Sequence, residues 1–96
     1  MRGYDYKMSS RKKRAIERDH GLAFDEAKRA YYERYSHVIN MGKGKKKVLG
    51  QDTDSDKYIT SIGKVERKVF WAFTARPMDN SEHRRYRKAR KQRGGP

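Results

Sequence analysis

The sequence predicts one small α+β domain, with helices near the N-terminus packed on an antiparallel sheet of about four strands and a basic helix at the C-terminus. Three observations carry that prediction. Apolar residues recur at helical spacing after Phe24, the period changes to alternation between His37 and Phe73, and Pro77 stops the last strand just ahead of a helix start. At 96 residues, a single domain over 1–96 fits the length. Its core must be modest, since a chain this short buries only about two thirds of its unfolded surface.

Tyr4 and Tyr6 alternate with Gly3, Asp5 and Lys7, a weak signal for a strand or extended segment at the N-terminus. Ser9 and Ser10 offer N-cap oxygens for a first helix over Arg11–Asp19, and His20-Gly21 closes it with a glycine suited to the left-handed region. A second helix runs from Phe24 to about Tyr35-Ser36 by the spacing of Ala27, Ala30, Tyr31 and Tyr35. Asp25 and Glu26 fall in its first turn, where the helix dipole favours acids. Tyr31 reads as core. Tyr32 is open between core and a base-stacking role.

From His37 the residues Val38, Ile39 and Met41 close on Gly42-Lys43-Gly44, with Lys47-Val48-Leu49-Gly50 following at hairpin distance. Asp52 to Asp56 is a polar turn. Tyr58–Ile62 and Val69–Phe73 are two further strands joined around Gly63 to Arg67. In the last strand both faces are apolar, which predicts a central strand with Trp71 in the core. After Pro77, Asp79 and Glu82 have the form of a capping box for a helix from Ser81 to about Lys91. Only Tyr86 and Ala89 can dock this helix, leaving Arg84, Arg85, Arg87, Lys88 and Arg90 to face outward, with a frayed tail from about residue 92.

Lysine and arginine number 26 against 12 acidic residues, a formal charge of +14. So large an excess on so small a body points to a polyanion partner, nucleic acid first and an anionic membrane surface a distant second. The longest apolar stretch, Val69 to Ala75 broken by Thr74, falls far short of the ~20 residues that span a bilayer. Met1 to Tyr6 lacks the apolar core of a secretory signal, so a cytoplasmic location and no membrane association are expected. The chain has no cysteine, which removes disulfides, thiolate zinc sites and thiol nucleophiles together. Asp52, Asp54 and Asp56 alternate as in a calcium loop, yet the twelfth position is Gly63 rather than glutamate. No metal or nucleotide cofactor is therefore expected.

Tyr4-Asp5-Tyr6, then Asp19-His20-Gly21-Leu22-Ala23-Phe24-Asp25-Glu26-Ala27, the strand meander, and Thr74-Ala75-Arg76-Pro77-Met78 before Glu82-His83-Arg84-Arg85-Tyr86 together resemble the BrnT family of bacterial toxins. The order and spacing of these pieces cover nearly the whole chain. The resemblance implies a RelE-like fold, two helices on a curled antiparallel sheet. It also implies an endoribonuclease that cleaves mRNA and stops translation until a ribbon-helix-helix antitoxin binds it, an antitoxin that itself contacts operator DNA. The chain departs from the family pattern where Tyr6 replaces a tryptophan, Asp19 a basic residue and Thr74 a serine. A threonine-x-arginine at the end of the preceding strand is missing, with only Lys64 or Arg67 nearby.

Metal-free RNA cleavage needs a base for the 2′-hydroxyl, cations for the pentacoordinate phosphorus and an acid for the leaving oxygen. Arg76 is the first candidate for the charge-stabilising role, being a guanidinium at a strand end beside a helix N-terminus, with a structural salt bridge to Asp5 or Glu82 as the alternative. His20 has the titration range for acid or base work but also suits a helix C-terminus. Glu82 is a base candidate or simply a capping residue. Tyr86 supplies a hydroxyl or docks the helix. Lys64 and Arg67 are placed at a hairpin tip, in reach of a phosphate from the open end of the sheet. Lys43, Lys45, Lys46 and Lys47 form a glycine-flanked cationic loop that, with Arg84, Arg85 and Arg87, is suited to an RNA backbone. The alternative from another class is a non-catalytic RNA- or ribosome-binding module using the same cations only for phosphate contacts.

Overall fold

The computed structural model describes residues 3–96; Met1 and Arg2, the first residues of the segment compared with a secretory signal, lie outside the described residues. Its elements are β1 (Asp5–Lys7), α1 (Ser10–His20), α2 (Phe24–Tyr32), β2 (His37–Gly42), β3 (Lys45–Asp52), β4 (Lys57–Glu66), β5 (Val69–Pro77) and α3 (Asn80–Gln92). The strands form one sheet in the order β1-β5-β4-β3-β2. Five strands thus replace the expected four. The sheet is mixed, because β1 pairs parallel with β5, Asp5 opposite Val69 and Lys7 opposite Trp71.

Local chemistry sets most boundaries as the residues suggest. Ser9 caps α1 by accepting from the Lys12 N–H, and Gly21 closes it at φ 64°, the left-handed conformation that glycine adopts without steric cost. Helix α2 stops at Tyr32 instead of near Tyr35, because Glu33 turns extended and its carboxylate accepts from the Tyr35 N–H, the Gln51 N–H and the Tyr86 hydroxyl. The chain gains three bonded donors on one carboxylate in exchange for another turn of helix.

Both basic hairpin tips are tighter than expected. Lys43-Gly44 and Arg67-Lys68 are two-residue connections with positive φ throughout, 56° and 76° in the first, 50° and 61° in the second, the signature of turns whose twist matches the flanking strands. Consequently Lys45, Lys46 and Lys47 belong to β3 and only Lys43 of that run lies in a turn. Lys64 likewise sits inside β4, opposite Trp71 and Lys45, while Arg67 is at the tip. The strands continue where loops were expected because antiparallel pairing satisfies their backbone groups right up to the tight turn.

The two sheet faces are covered unequally. Val48 lies in the cluster with Tyr6, Ile16, Leu22, Tyr31 and Phe70, and its neighbour Leu49 in a second cluster with Met78 and Tyr86. Successive strand residues point to opposite faces, so α1 and α2 cover one face and α3 the other. Gly50 allows the close approach of α2: a Cβ there would stand 1.9 Å from the Ala30 carbonyl oxygen. On the α3 side the cover is short, and Trp71, expected in the core, is 41% exposed. Strand β5 is next to an edge and buries only its other face through Phe70, Ala72 and Ala75, the last returned to that face by a bulge at Phe73 between the Ala72–Gly63 and Thr74–Ile62 pairs. Helix α3 buries Tyr86 and Ala89, as its spacing suggests, together with Glu82. Arg90 does not face outward. It folds back over the Tyr35 ring and donates to Gln51 Oε1 at 3.2 Å. Arg93, in the segment expected to fray, donates to the Ser36 and Arg34 carbonyls at 2.7 and 3.0 Å.

Candidate functional site

Three strands and one helix end converge on the carboxylate of Glu82. Arg76, Thr60 and Leu49 lie opposite one another across β5, β4 and β3, so their side chains form a row on the face covered by α3. Pro77 ends the ladder beside this row, and Asp79 then caps α3 by accepting from the Glu82 N–H at 2.8 Å while Glu82 accepts from the Asp79 N–H at 3.0 Å. The capping box fixes where Glu82 can reach. Its oxygens accept Arg76 in a two-pronged pair at 2.7 and 2.8 Å, the Thr60 hydroxyl at 2.9 Å and Lys47 Nζ at 3.0 Å.

This cluster is nearly closed on the carboxylate side and open on the cation side. The Glu82 side chain is 6% exposed, against 29% for Arg76 and 23% for Lys47. Burial by itself would push the Glu82 carboxyl up. The bonds from Arg76, the Asp79 N–H, Lys47 and Thr60 outweigh it and bring the group down to about 2. Arg76 and Lys47 stand against the carboxylates of Glu82 and Asp79, so the cluster is formally balanced, with its two cations the more exposed groups and the N-terminus of α3, where backbone N–H groups add positive potential, beside them.

Immediately past this cluster lies a groove of about 290 Å³ bounded by His20, Leu22, Lys57, Tyr58, Pro77 and His83. The fold therefore brings His20, at the end of α1, and His83, in the first turn of α3, to one groove, a pairing that their separation in sequence conceals. The His83 ring packs on Tyr58 at 4.8 Å, and its Nδ1 is buried without a hydrogen-bond partner among the described residues. Tyr86 is fully buried and its hydroxyl donates to Glu33, which places it in the core beneath α3. Burial, with Glu33 beside it, pushes that hydroxyl well above the ordinary tyrosine range.

The cations selected for phosphate contact fall into two groups, with Lys46, Lys47 and Arg67 outside both. Arg84, Arg85 and Arg87 are exposed on α3. Lys43, Lys45 and Lys64 line a cavity of about 380 Å³ with Met41, Gly42 and Phe73, on the open part of the sheet. Lys46 is engaged with Asn40, and Lys47 belongs to the Glu82 cluster. Arg67 stands apart at its hairpin tip. Sequence reasoning missed Lys47 as a partner of Glu82, the role of Thr60, and Glu33. Lys47 and Thr60 reach Glu82 through the register of β3, β4 and β5, which no local signal gives, and nothing local marks Glu33.

The fold and this cluster define a small basic α+β protein with an arginine and a lysine held on a buried carboxylate where a strand end meets a helix N-terminus. The architecture matches a solved one: the 1.1 Å crystal structure of BrnT, the ribonuclease toxin of Brucella abortus, superposes with a TM-score of 0.64 at 15% sequence identity, over 80% of this chain and 99% of that one. The BrnT-like fold expected from the motifs is thus present. No protein-family model and no curated protein sequence matches the chain. No helix among the described residues is long and apolar enough to cross a membrane.

Proposed function

We propose that this chain is the toxin of a type II toxin–antitoxin pair, an endoribonuclease that cleaves mRNA, free or on the ribosome, and stops translation in the cytoplasm. The observation that carries this reading is the meeting of Arg76 and Lys47 on one buried carboxylate, on the sheet face of a BrnT-like fold carrying +14. In the cleavage step the 2′-oxygen attacks the adjacent phosphorus and the bond to the 5′-oxygen breaks, leaving a cyclic phosphate. A base takes the 2′ proton and an acid supplies one to the departing oxygen. Arg76 is the residue for the phosphorane charge, because a guanidinium held by two bonds loses little freedom when it meets a phosphate.

A carboxyl brought down to about 2 accepts a proton poorly, so Glu82 is assigned to positioning Arg76 and Lys47. His20 and His83, which share the neighbouring groove, are the acid–base candidates, since an imidazole ring can offer one nitrogen as proton donor and the other as acceptor. Lys64, Arg67, Lys43 and Lys45 are assigned to backbone phosphates, and Tyr86 to docking α3. The neutralising partner is a ribbon-helix-helix antitoxin covering the basic cleft, through which alone operator DNA is reached.

A second reading, a non-catalytic RNA- or ribosome-binding module, is favoured by one observation: Arg76, Glu82 and Tyr86 all make hydrogen bonds within the fold. Induced expression in a host lacking any antitoxin separates the two, with total RNA and translation followed early in wild type and Arg76→Ala. Growth arrest with shortened transcripts in the wild type alone supports the ribonuclease. Soluble wild-type protein that causes no arrest supports the binding module.

A further inference from the structure

Outside the Arg76 cluster, the least explained part of the surface is the stretch of sheet that α3 leaves uncovered. Lys7, Trp71, Lys64 and Lys45 lie opposite one another across β1, β5, β4 and β3, so one row of side chains crosses four strands on a single face. Trp71 is 41% exposed and Phe73, in the same strand, 40%. Neither ring is needed for the core, which β5 builds from its other face with Phe70, Ala72 and Ala75. Each ring has an ammonium over it, which a stacked base would displace toward its phosphate: Lys7 Nζ is 6.0 Å from the Trp71 ring centre, and Lys12 Nζ, from α1, is 4.8 Å from that of Phe73. Phe73 also lines the cavity with Lys43, Lys45 and Lys64. The acidic residues at this end of the sheet, Asp5 and Glu66, are one row further out, flanking Val69 at the rim.

We infer that Trp71 and Phe73 form a base-stacking platform for single-stranded RNA, with Lys7, Lys12, Lys45 and Lys64 receiving the flanking phosphates. This deepens the RNA-directed reading above and rests on it. Exposed flat rings interleaved with cations are what a strand with splayed bases requires, since stacking accepts any base and the phosphates need only positive charge. A protein partner fits less well: the centres of protein interfaces are depleted in lysine, whereas here lysines stand between the aromatic residues. The platform is also correctly spaced from the Arg76 cluster. Lys64 and Thr60 are four residues apart on β4, roughly 13 Å at the rise of a strand. A strand stacked on Trp71 thus runs along the sheet toward Arg76.

Trp71 is the only tryptophan of the chain, so its emission reports the platform directly. A short 2′-O-methyl oligoadenylate, which has no 2′-hydroxyl to react, is titrated at low salt, following Trp71 emission and the anisotropy of a labelled oligonucleotide together. Quenching that saturates with the anisotropy change is expected, with about tenfold or greater loss of affinity in Trp71→Leu and in Phe73→Leu, and recovery in Trp71→Phe. An abasic oligonucleotide of the same length binds more weakly and leaves the emission unchanged. If the oligonucleotide binds but emission is unaltered and Trp71→Leu binds as wild type, the platform is refuted while the RNA reading stands. If no oligonucleotide binds, both fall. Loss of antitoxin binding in Trp71→Leu with unchanged RNA affinity reassigns the face to the protein partner and also refutes the platform.

Discussion

Replacing Arg76 with alanine removes both prongs of its pair with Glu82 and leaves a carboxylate that is 6% exposed holding Lys47, Thr60 and the Asp79 N–H. The cost can be bounded from the Glu82 carboxyl, which lies at about 2 in the fold against 4.5 ordinarily. That difference corresponds to about 3 kcal/mol at neutral pH for the partners after the opposing cost of burial. Arg76 supplies the two shortest side-chain contacts, so its loss is worth about 2 kcal/mol, in a domain whose total stability is about 5–14 kcal/mol. The thermal midpoint should fall by roughly 8–16 °C. Loss of toxicity in Arg76→Ala is therefore ambiguous alone. The double variant Arg76→Ala/Glu82→Gln removes the stranded charge, and should recover at least about half of the lost stability as measured by urea unfolding followed by circular dichroism. If it regains stability but not growth arrest, the guanidinium is needed at the RNA. If arrest returns with stability, Arg76 serves only to neutralise Glu82. An Arg76→Ala protein that unfolds at the wild-type urea midpoint refutes the argument that this pair holds the site together.

Acid unfolding should follow the same carboxylates. Glu82 and Asp52 both stand at about 2 when folded and bind fewer protons than in the unfolded chain, so their stabilisation is complete above about pH 4.5 and is lost as pH falls toward 2. Glu82→Gln should flatten that part of the stability profile, measured by thermal melts across pH. Gly50→Ala forces a methyl group against the Ala30 carbonyl, so α2 must lift from β3; a loss of about 1–3 kcal/mol, or failure to accumulate soluble protein, is expected, and an unchanged melt refutes the close approach. Lys68→Gly relieves a lysine at φ 61° and should stabilise the protein by up to about 1 kcal/mol in urea titrations. RNA affinity should fall by orders of magnitude between low and moderate salt, and a flat response would exclude phosphate-dominated binding.

Features decided by neighbouring residues were legible in the sequence. Ser9, Gly21 and the Asp79/Glu82 box mark their helix ends because caps act within a few residues. Tyr86 and Ala89 reveal the docking stripe of α3 for the same reason. What was hidden depends on distant partners. Strand β1 has three residues, so the alternation around Tyr4 and Tyr6 is only a weak sign of it, and its parallel pairing with β5 is not marked there at all. Glu33 ends α2 early through bonds to β3 and α3. Trp71 looked like core because both sides of its strand are apolar, but how far α3 extends over the sheet is not written in β5 itself. At the site, Arg76 and Glu82 could be singled out, and their pairing could be named as an alternative. Lys47 could not be joined to them without the register of β3 against β4, nor His20 to His83 without the placement of α1 against α3.

Assembly order follows from the parallel pairing of β1 with β5. Tyr6 is a core residue, stacked on Phe70 at 5.7 Å and hydrogen-bonded to Ser61. None of those partners exists until most of the chain has been synthesised. Such distant pairings close slowly, because the intervening loop must be ordered before any contact rewards it. The strand that completes the core also carries Arg76 at its far end. A nascent or truncated chain lacking β5 thus has neither a finished core nor the guanidinium at Glu82, and the Arg76 cluster comes into being in the same event that seals the fold.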